Sequence, residues 1–328
     1  MQNFFGATRQ NLFYGWYLKC ETDNQVIAMI PAIHQCDGKC SCSIQVITDE
    51  NTYSVPFPAW NFYKKSQNPN ILKPIKLASR QAIIIGENIF CDKGIKISLN
   101  TPELVLEGKL IFGELTPLKY DVMGPFVWIP FMECRHSVYS MHHVVKGELF
   151  LNGKKYVFNE GRGYWEGDRG YSFPREYLWT QCLFGGGSLM LSVAEIPFFG
   201  GNFTGVIGVV FWQGKEYRFA TYLGARVRWL CNGMVRITQG DMVLEARLLE
   251  QKGCKQESRF DAKDCSTRGK ETVVQLRKGG LRAPVGGEMN RTIHEHVRCL
   301  ASYRFRKGNE IDLNFESDKA SFEYEYRR

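Results

Sequence analysis

The 328-residue chain has no apolar run near the roughly 20 residues that span a bilayer, and its longest, Val206 to Trp212, is strand-sized. A transmembrane helix is thereby excluded. A 3.6-residue apolar period is missing almost everywhere, which leaves little room for amphipathic helices. Met1 to Gln10 lacks the charged-then-apolar order of a secretory signal, and the eleven cysteines are odd in number with no framework spacing. A reducing, cytoplasmic setting is the expectation. No phosphate loop, dinucleotide fingerprint or nucleophile elbow occurs, so no cofactor is expected and nucleotide-dependent chemistry is set aside. Glycine without a fixed period excludes collagen, and apolar residues recurring along the length exclude a largely disordered chain.

What the chain does have is β-forming residues. Segments rich in Val, Ile, Tyr and Phe, broken by Gly, Pro, Asn and Asp, run from Tyr14–Lys19 through Val138–Leu151 to Ser321–Tyr326. Asn152-Gly153 and Gln213-Gly214 sit between apolar runs as hairpin turns, and Gly185-Gly186-Gly187 reads as a third. More than a dozen antiparallel strands need their edges removed, and closure does so most simply. The expectation is an all-β protein of two barrels or strongly curved sheets, divided near Phe198 into residues 1–198 and 199–328. Two polar inserts, Tyr63 to Ser79 and Lys252 to Lys270, read as surface loops.

The net charge is +8, and Gln213 to Arg282 holds fifteen Lys and Arg against eight Asp and Glu, an excess of seven. Most of this reads as a solvated face, with peripheral contact to anionic lipid as the alternative. Nucleic acid is not expected without a recognition module.

The densest chemical grammar lies in Gly161 to Pro174. Glu166 and Asp168 are two apart, so on an extended strand both carboxylates share a face while Trp165, Gly167 and Arg169 take the other. Like charges held close in an apolar setting favour a protonated acid. The plainer alternative pairs these carboxylates with Arg162, Arg169 or Arg175 on a solvated strand. In Met132 to His143, alternation separates His136, Val138, Ser140 and His142 from Tyr139, Met141 and His143, so His142 and His143 cannot serve one metal. His294 and His296 share a face but show no third ligand, and Cys36, Cys40 and Cys42 read as free thiols; no metal site is assigned. Of the aromatic residues, Trp16, Tyr139, Trp165, Phe173 and Trp179 would suit a lumen holding a hydrophobic ligand, where ring faces stabilise a cation.

At these motifs the chain resembles the tocopherol cyclase family, itself similar in fold to carotenoid hydratases and other lipocalin-like double-barrel proteins. The resemblance runs through Gly15-Trp16-Tyr17, Gly124-Pro125-Phe126, Glu133 to His136, Tyr164 to Pro174, Trp179 to Cys182, Val227-Arg228-Trp229, Leu244-Glu245-Ala246 and Leu281 to Pro284. Glu166 and Gly170 match the plant cyclases, and Asp168 and Arg169 depart from them. The resemblance implies protonation of a prenyl alkene and trapping of the cation by a phenol oxygen or by water. It also implies Asp168 as the acid, with Glu166 sharing its proton or raising its proton affinity and His136 as relay or substrate-orienting group. The partner would be a prenyl quinol or isoprenoid-like small molecule. A non-catalytic carrier of such a lipid is the alternative.

Overall fold

The computed structural model of the protein describes residues 11–65, 82–129, 132–198, 201–251 and 281–326. The first sheet comprises β1 (Leu12–Glu21), β2 (Val26–Cys36), β3 (Lys39–Thr48), β4 (Thr52–Pro58), β5 (Phe62–Lys65), β6 (Ala82–Ile85), β7 (Asn88–Cys91), β8 (Gly94–Asn100), β9 (Val105–Phe112), β10 (Cys134–Leu151) and β11 (Lys154–Gly170). The second begins with β12 (Tyr177–Phe184), β13 (Gly187–Phe198), β14 (Gly201–Trp212), β15 (Lys215–Ala220), β16 (Arg226–Cys231), β17 (Met234–Gln239) and β18 (Met242–Gln251). A separate hairpin, β19 (Leu281–Val285) and β20 (Glu288–Ile293), precedes its last strands, β21 (Glu295–Lys307) and β22 (Ile311–Tyr324). Every pairing is antiparallel, and the all-β expectation holds. No helix among the described residues is long and apolar enough to cross a membrane.

The strand order forces closure. In the eleven-stranded sheet, β4 and β5 occupy opposite edges, yet only the 3-10 turn Ala59–Asn61 separates them. Three residues span about 10 Å at most, so the sheet must curl until its edges meet. The nine-stranded sheet repeats the device: its edges are β15 and β16, joined across the 3-10 turn Thr221–Leu223. Asn152 and Gly153 both take positive φ, as do Gln213 and Gly214, the geometry the hairpin reading requires.

Two glycines set the curl of the first sheet. Gly108 and Gly147 have φ of +143° and +127°, and a Cβ on either would lie 2.3 Å from Glu148 O or 2.2 Å from Lys109 O respectively. Only the missing side chain lets β9 and β10 approach there.

Three cores result. Trp16, Leu18, Ile44, Leu106, Leu149 and Trp165 fill the first barrel, and Leu191, Val210, Phe219, Ile237, Leu244 and Phe305 fill the second. The third lies between the barrels, where Tyr17, Ala28, Val138, Met141 and Tyr164 of the first sheet meet Tyr177, Trp179, Met190 and Val209 of the second. β12 is buried along its whole length and β1 along most of it, because both faces are covered. A buried ammonium ties the two together: Lys19 Nζ donates to Lys319 O at 2.6 Å and to Gln181 Oε1 at 3.2 Å, and lies 3.4 Å from Glu21.

The sheets divide between Gly170 and Tyr177, earlier in the chain than the expected 198/199 step. That step falls between β13 and β14, which pair residue for residue along their length. Its turn-rich sequence marks a hairpin of the second sheet, because Gly and Asn punctuate hairpins as readily as linkers. Ser321–Tyr326, expected as a strand, is largely the end of the longer β22 (Ile311–Tyr324), which shifts register opposite β21. Of the two polar inserts, Tyr63 and Lys64 belong to β5; residues 66–79 and 252–270 lie outside the described residues.

Gly108→Ala is expected to cost about 1–3 kcal/mol from backbone strain at positive φ, read as a lowered urea midpoint. An unchanged midpoint would mean the sheet does not need its close approach there.

Candidate active site

β11 lies between β1 and β10, which places three functional side chains in register. His136 of β10 is directly opposite Asp168, and Val138 is opposite Glu166. On the other side Gly15 faces Asp168 and Tyr17 faces Glu166. Alternation then sends His136, Glu166 and Asp168 out of the first barrel toward the second sheet. Gly15 has no side chain to cover Asp168, and with Ile30 and Ala32 beside it forms part of the cavity lining.

His136 is clamped between the carboxylates. Nδ1 lies 2.9 Å from Asp168 Oδ1 as a hydrogen bond, and Nε2 lies 3.1 Å from Glu166 Oε2. The second contact is a close charge pairing whose angle falls short of an aligned hydrogen bond. Tyr164 donates to Glu166 Oε2 at 2.5 Å, and Cys134 Sγ lies 3.5 Å from Asp168 Oδ1. Burial alone would lower the imidazole pKa. The charges of Glu166 and then Asp168, with the hydrogen bonds, outweigh it and hold the pKa well above the ordinary histidine range.

The same three residues also bring one ligand atom each within 4.8 Å of one another, so a metal has to be considered. The ring argues for a proton. Each of its nitrogens faces a different carboxylate, and both contacts are attractive only if both nitrogens carry hydrogen, whereas a metal needs a nitrogen lone pair.

The cluster forms part of the wall of a cavity of about 140 Å³ between the two sheets, close to the roughly 150 Å³ that accommodates one benzene ring in a protein interior. The lining is mainly apolar and aromatic, with Phe13, Ile30, Phe126, Phe173, Trp179 and Ile207 among its members. The hairpin β19–β20 contributes Leu281, Pro284 and Met289, and is anchored by Arg282, whose backbone exchanges two hydrogen bonds with the Gln45 side chain. Asp168 keeps 22% side-chain exposure against 5% for Glu166, so Asp168 is the carboxylate most open to a ligand.

The second sheet adds two acids that sequence reasoning missed. Glu295 of β21 and Trp179 of β12 are both in register with Glu323 of the intervening β22, and all three line the cavity. Glu323 accepts a hydrogen bond from Tyr177, and burial with the neighbouring Glu295 charge pushes its pKa well up. Glu295 has both carboxylate oxygens buried and neither in a hydrogen bond of good geometry, with the Tyr17 hydroxyl close enough to act on its titration. Burial raises its pKa to about 7; Tyr17 and Lys19 offset part of the effect and Glu166 adds to it. The Tyr17 hydroxyl itself is engaged with Ser321 Oγ at 3.2 Å. The only local signal is the position of Glu295 between His294 and His296, which carries no mark of a buried acid.

Of the expected ligand-binding aromatics, Phe173 and Trp179 line the cavity, and Trp16 borders it while stacking on Tyr14 in the first core. Tyr139 and Trp165 do not. They pack together inside the first barrel at 5.1 Å, with Tyr139 bonded to Tyr14 at 3.0 Å. Alternation explains both positions, since Trp165 precedes Glu166 and must point the other way. The expected lumen is therefore filled with side chains, and the hollow lies outside the barrel. Arg162, a proposed partner for the acids, pairs with Glu21 at 2.8 Å. His294 is exposed and His296 is half-buried, its pKa lowered to about 4 by burial. Cys42 donates to Phe57 O and Pro58 O. Among the described residues neither the histidine pair nor Cys36, Cys40 and Cys42 form a three-ligand group.

Both His136 ring nitrogens should read as protonated in 15N spectra at about pH 8. A raised histidine pKa stabilises the fold fully below the unfolded value, and this is lost as pH rises through the folded value. Stability should therefore fall on the alkaline side, and Asp168→Asn should shift that fall to lower pH. A neutral His136 at about pH 8 would remove the imidazolium.

No protein-family model matches the chain, and no curated protein does. Solved structures do. CghA is similar over 97% of this chain and 90% of its own, at 9% identity and a TM-score of 0.53. Kievitone hydratase from Nectria haematococca aligns over 96% and 89%, at 9% identity and a TM-score of 0.49. The likeness to CghA extends through both sheets and is one of fold: two lipocalin-like antiparallel barrels. It does not reach the tocopherol cyclase family.

Proposed function

We propose that the protein is an acid catalyst that protonates an alkene of a hydrophobic, prenylated small molecule and lets an oxygen nucleophile trap the cation, by cyclisation or hydration. The observation that carries this reading is a buried histidine held between two carboxylates at the wall of an aromatic cavity. A proton so placed meets the two needs of the reaction, a donor in reach and little competing water. Agreement with the resemblance to tocopherol cyclases supports it as well.

Asp168 is assigned as the group that touches the alkene, because it is the most exposed of the three to the cavity. The His136 Nδ1 proton passes to Asp168 through the 2.9 Å contact as Asp168 delivers a proton to the alkene π pair, leaving His136 neutral until it is reprotonated. Glu166, fixed by Tyr164, holds negative charge beside the imidazole and keeps the relay loaded. The tertiary cation then lies among Phe173, Trp179 and Phe13, whose ring faces attract it. A new C–O bond closes the sequence, and the nucleophile's proton leaves to a base. The cavity matches one ring or one isoprene unit, so it takes the reacting end of the substrate.

Incubation with prenylated hydroquinones and linear isoprenoids, followed by mass spectrometry, tests the chemistry. Cyclisation changes retention at constant mass, and hydration adds one water. Asp168→Asn should lose roughly 10²–10⁴-fold in turnover, and His136→Gln should do likewise with the ligand still bound. Unchanged turnover in Asp168→Asn would refute the acid assignment. Saturable thermal stabilisation by these lipids without any product would instead make the protein their carrier.

A further inference from the structure

We propose that Glu295 and Trp179, on the second-sheet wall of the cavity, form a hydroxyl-binding subsite in which Glu295 accepts the hydrogen bond of a ligand hydroxyl. The binding half stands by itself. A second half, that Glu295 also takes the hydroxyl proton during reaction, rests on the function proposed above.

The argument starts from unfulfilled polar atoms. Buried polar groups in folded proteins nearly always have partners, and an exception calls for a reason. Four residues lining this cavity carry such atoms: Trp16 and His136 (Nε2) on the first-sheet wall, and on the second-sheet wall the Glu295 carboxylate and the Trp179 indole N–H. The second-sheet pair is not scattered. Trp179, Glu323 and Glu295 form one row across three adjacent strands, with about 5 Å between neighbours. Glu323 in the middle is occupied by Tyr177. The row therefore offers an acceptor at one end and a donor at the other. A hydroxyl is both donor and acceptor, whereas an ammonium has hydrogens only and would leave the indole unserved. The flanking rings of Tyr17, which packs edge-on to Trp179 at 5.3 Å, and of Phe173 suit an arene carrying that hydroxyl.

The same row faces the acid wall. Asp168 and His136 belong to the first sheet and Glu295 to the second, so proton donor and hydroxyl acceptor line one cavity from different sheets. In the reaction the alkene π electrons form a C–H bond with the Asp168 proton. The hydroxyl oxygen forms the C–O bond as its O–H breaks, and that proton passes to Glu295. One proton is taken up and one released, with no oxidant or reductant. Groups facing Glu295 are Tyr17 and Lys19 of β1, Glu166 of β11 and Glu323 of β22. The lone positive charge among these four is Lys19, which Glu21, Gln181 and Lys319 O already engage. A pKa raised to about 7 places the carboxylate where a base at neutral pH is useful.

A prenylated hydroquinone and its dimethyl ether, titrated against the full chain by tryptophan fluorescence, are the probes. Wild type is expected to prefer the hydroquinone roughly tenfold or more, as for a hydrogen bond to a charged group. Glu295→Leu should erase the preference, and Trp179→Phe should reduce it severalfold. Glu295→Leu should also be at least as heat-stable as wild type, because it removes an unpartnered buried carboxylate. A carboxyl with a raised folded pKa is least costly below its unfolded value and most costly above about pH 7, so the gain should be larger at high pH. Equal binding of quinol and ether by wild type, no binding of either, or a preference that survives Glu295→Leu would overturn the subsite. Should Glu295→Leu not fold, the wild-type ratio and Trp179→Phe decide. Turnover lost in Asp168→Asn but kept in Glu295→Leu refutes only the proton transfer. A Glu295-dependent preference with no turnover in wild type leaves the subsite standing and refutes the reaction.

Discussion

Two sheets that each close around their own core have only outer faces left to offer one another, and this protein buries those faces together. β1, β2, β10 and β11 of the first barrel lie against β12, β13, β14 and β21 of the second through a third core, and Tyr17 and Lys19 of β1 bond Ser321 and Lys319 O of β22. Where large residues meet, as at Tyr164, Met141 and Met190, the seam is filled. Where Gly15 replaces a side chain, it opens into the cavity. The functional hollow is thus a gap left in a contact, and both walls depend on the contact for their position.

Desolvation by that contact sets the electrostatics. Water would screen Glu166, Asp168, Glu295 and Glu323 from one another; inside the seam they compete for few cations and few donors. The first wall resolves the conflict internally, by protonating His136 between two carboxylates. The second wall resolves half of it, with Tyr177 on Glu323, and leaves Glu295 unserved. Buried charge with incomplete pairing costs stability, and such positions are where folds give up stability for function. The tie at Lys19 is better served: the buried ammonium donates to Lys319 O and Gln181 Oε1 beside the Glu21 carboxylate, and holds β1 to β22.

Several elements were legible because their signals are local. Asn152-Gly153 and Gln213-Gly214 specify hairpins through backbone sterics alone, and β-branched runs between them specify strands. The two-residue step from Glu166 to Asp168 put both on one face, and it did the same for Trp165 on the other. The error was to count Trp165 and Tyr139 as ligand-binding in spite of that alternation, on the assumption that the hollow is the barrel lumen. Lumen and outer face are indistinguishable along a strand buried on both sides, as β1 and β12 are. The boundary near Phe198 failed for a related reason, since a hairpin turn and a domain linker use the same residues.

The amino-acid order by itself determined the β character, the hairpins and the shared face of Glu166 and Asp168, because each depends on backbone sterics and a period of two. Tertiary structure alone decided that His136 stands opposite Asp168, that Glu295 and Trp179 flank Glu323, and that these two groups from distant stretches face one cavity. Register between strands far apart in sequence follows from which faces can be buried together, and that is a property of the packed whole.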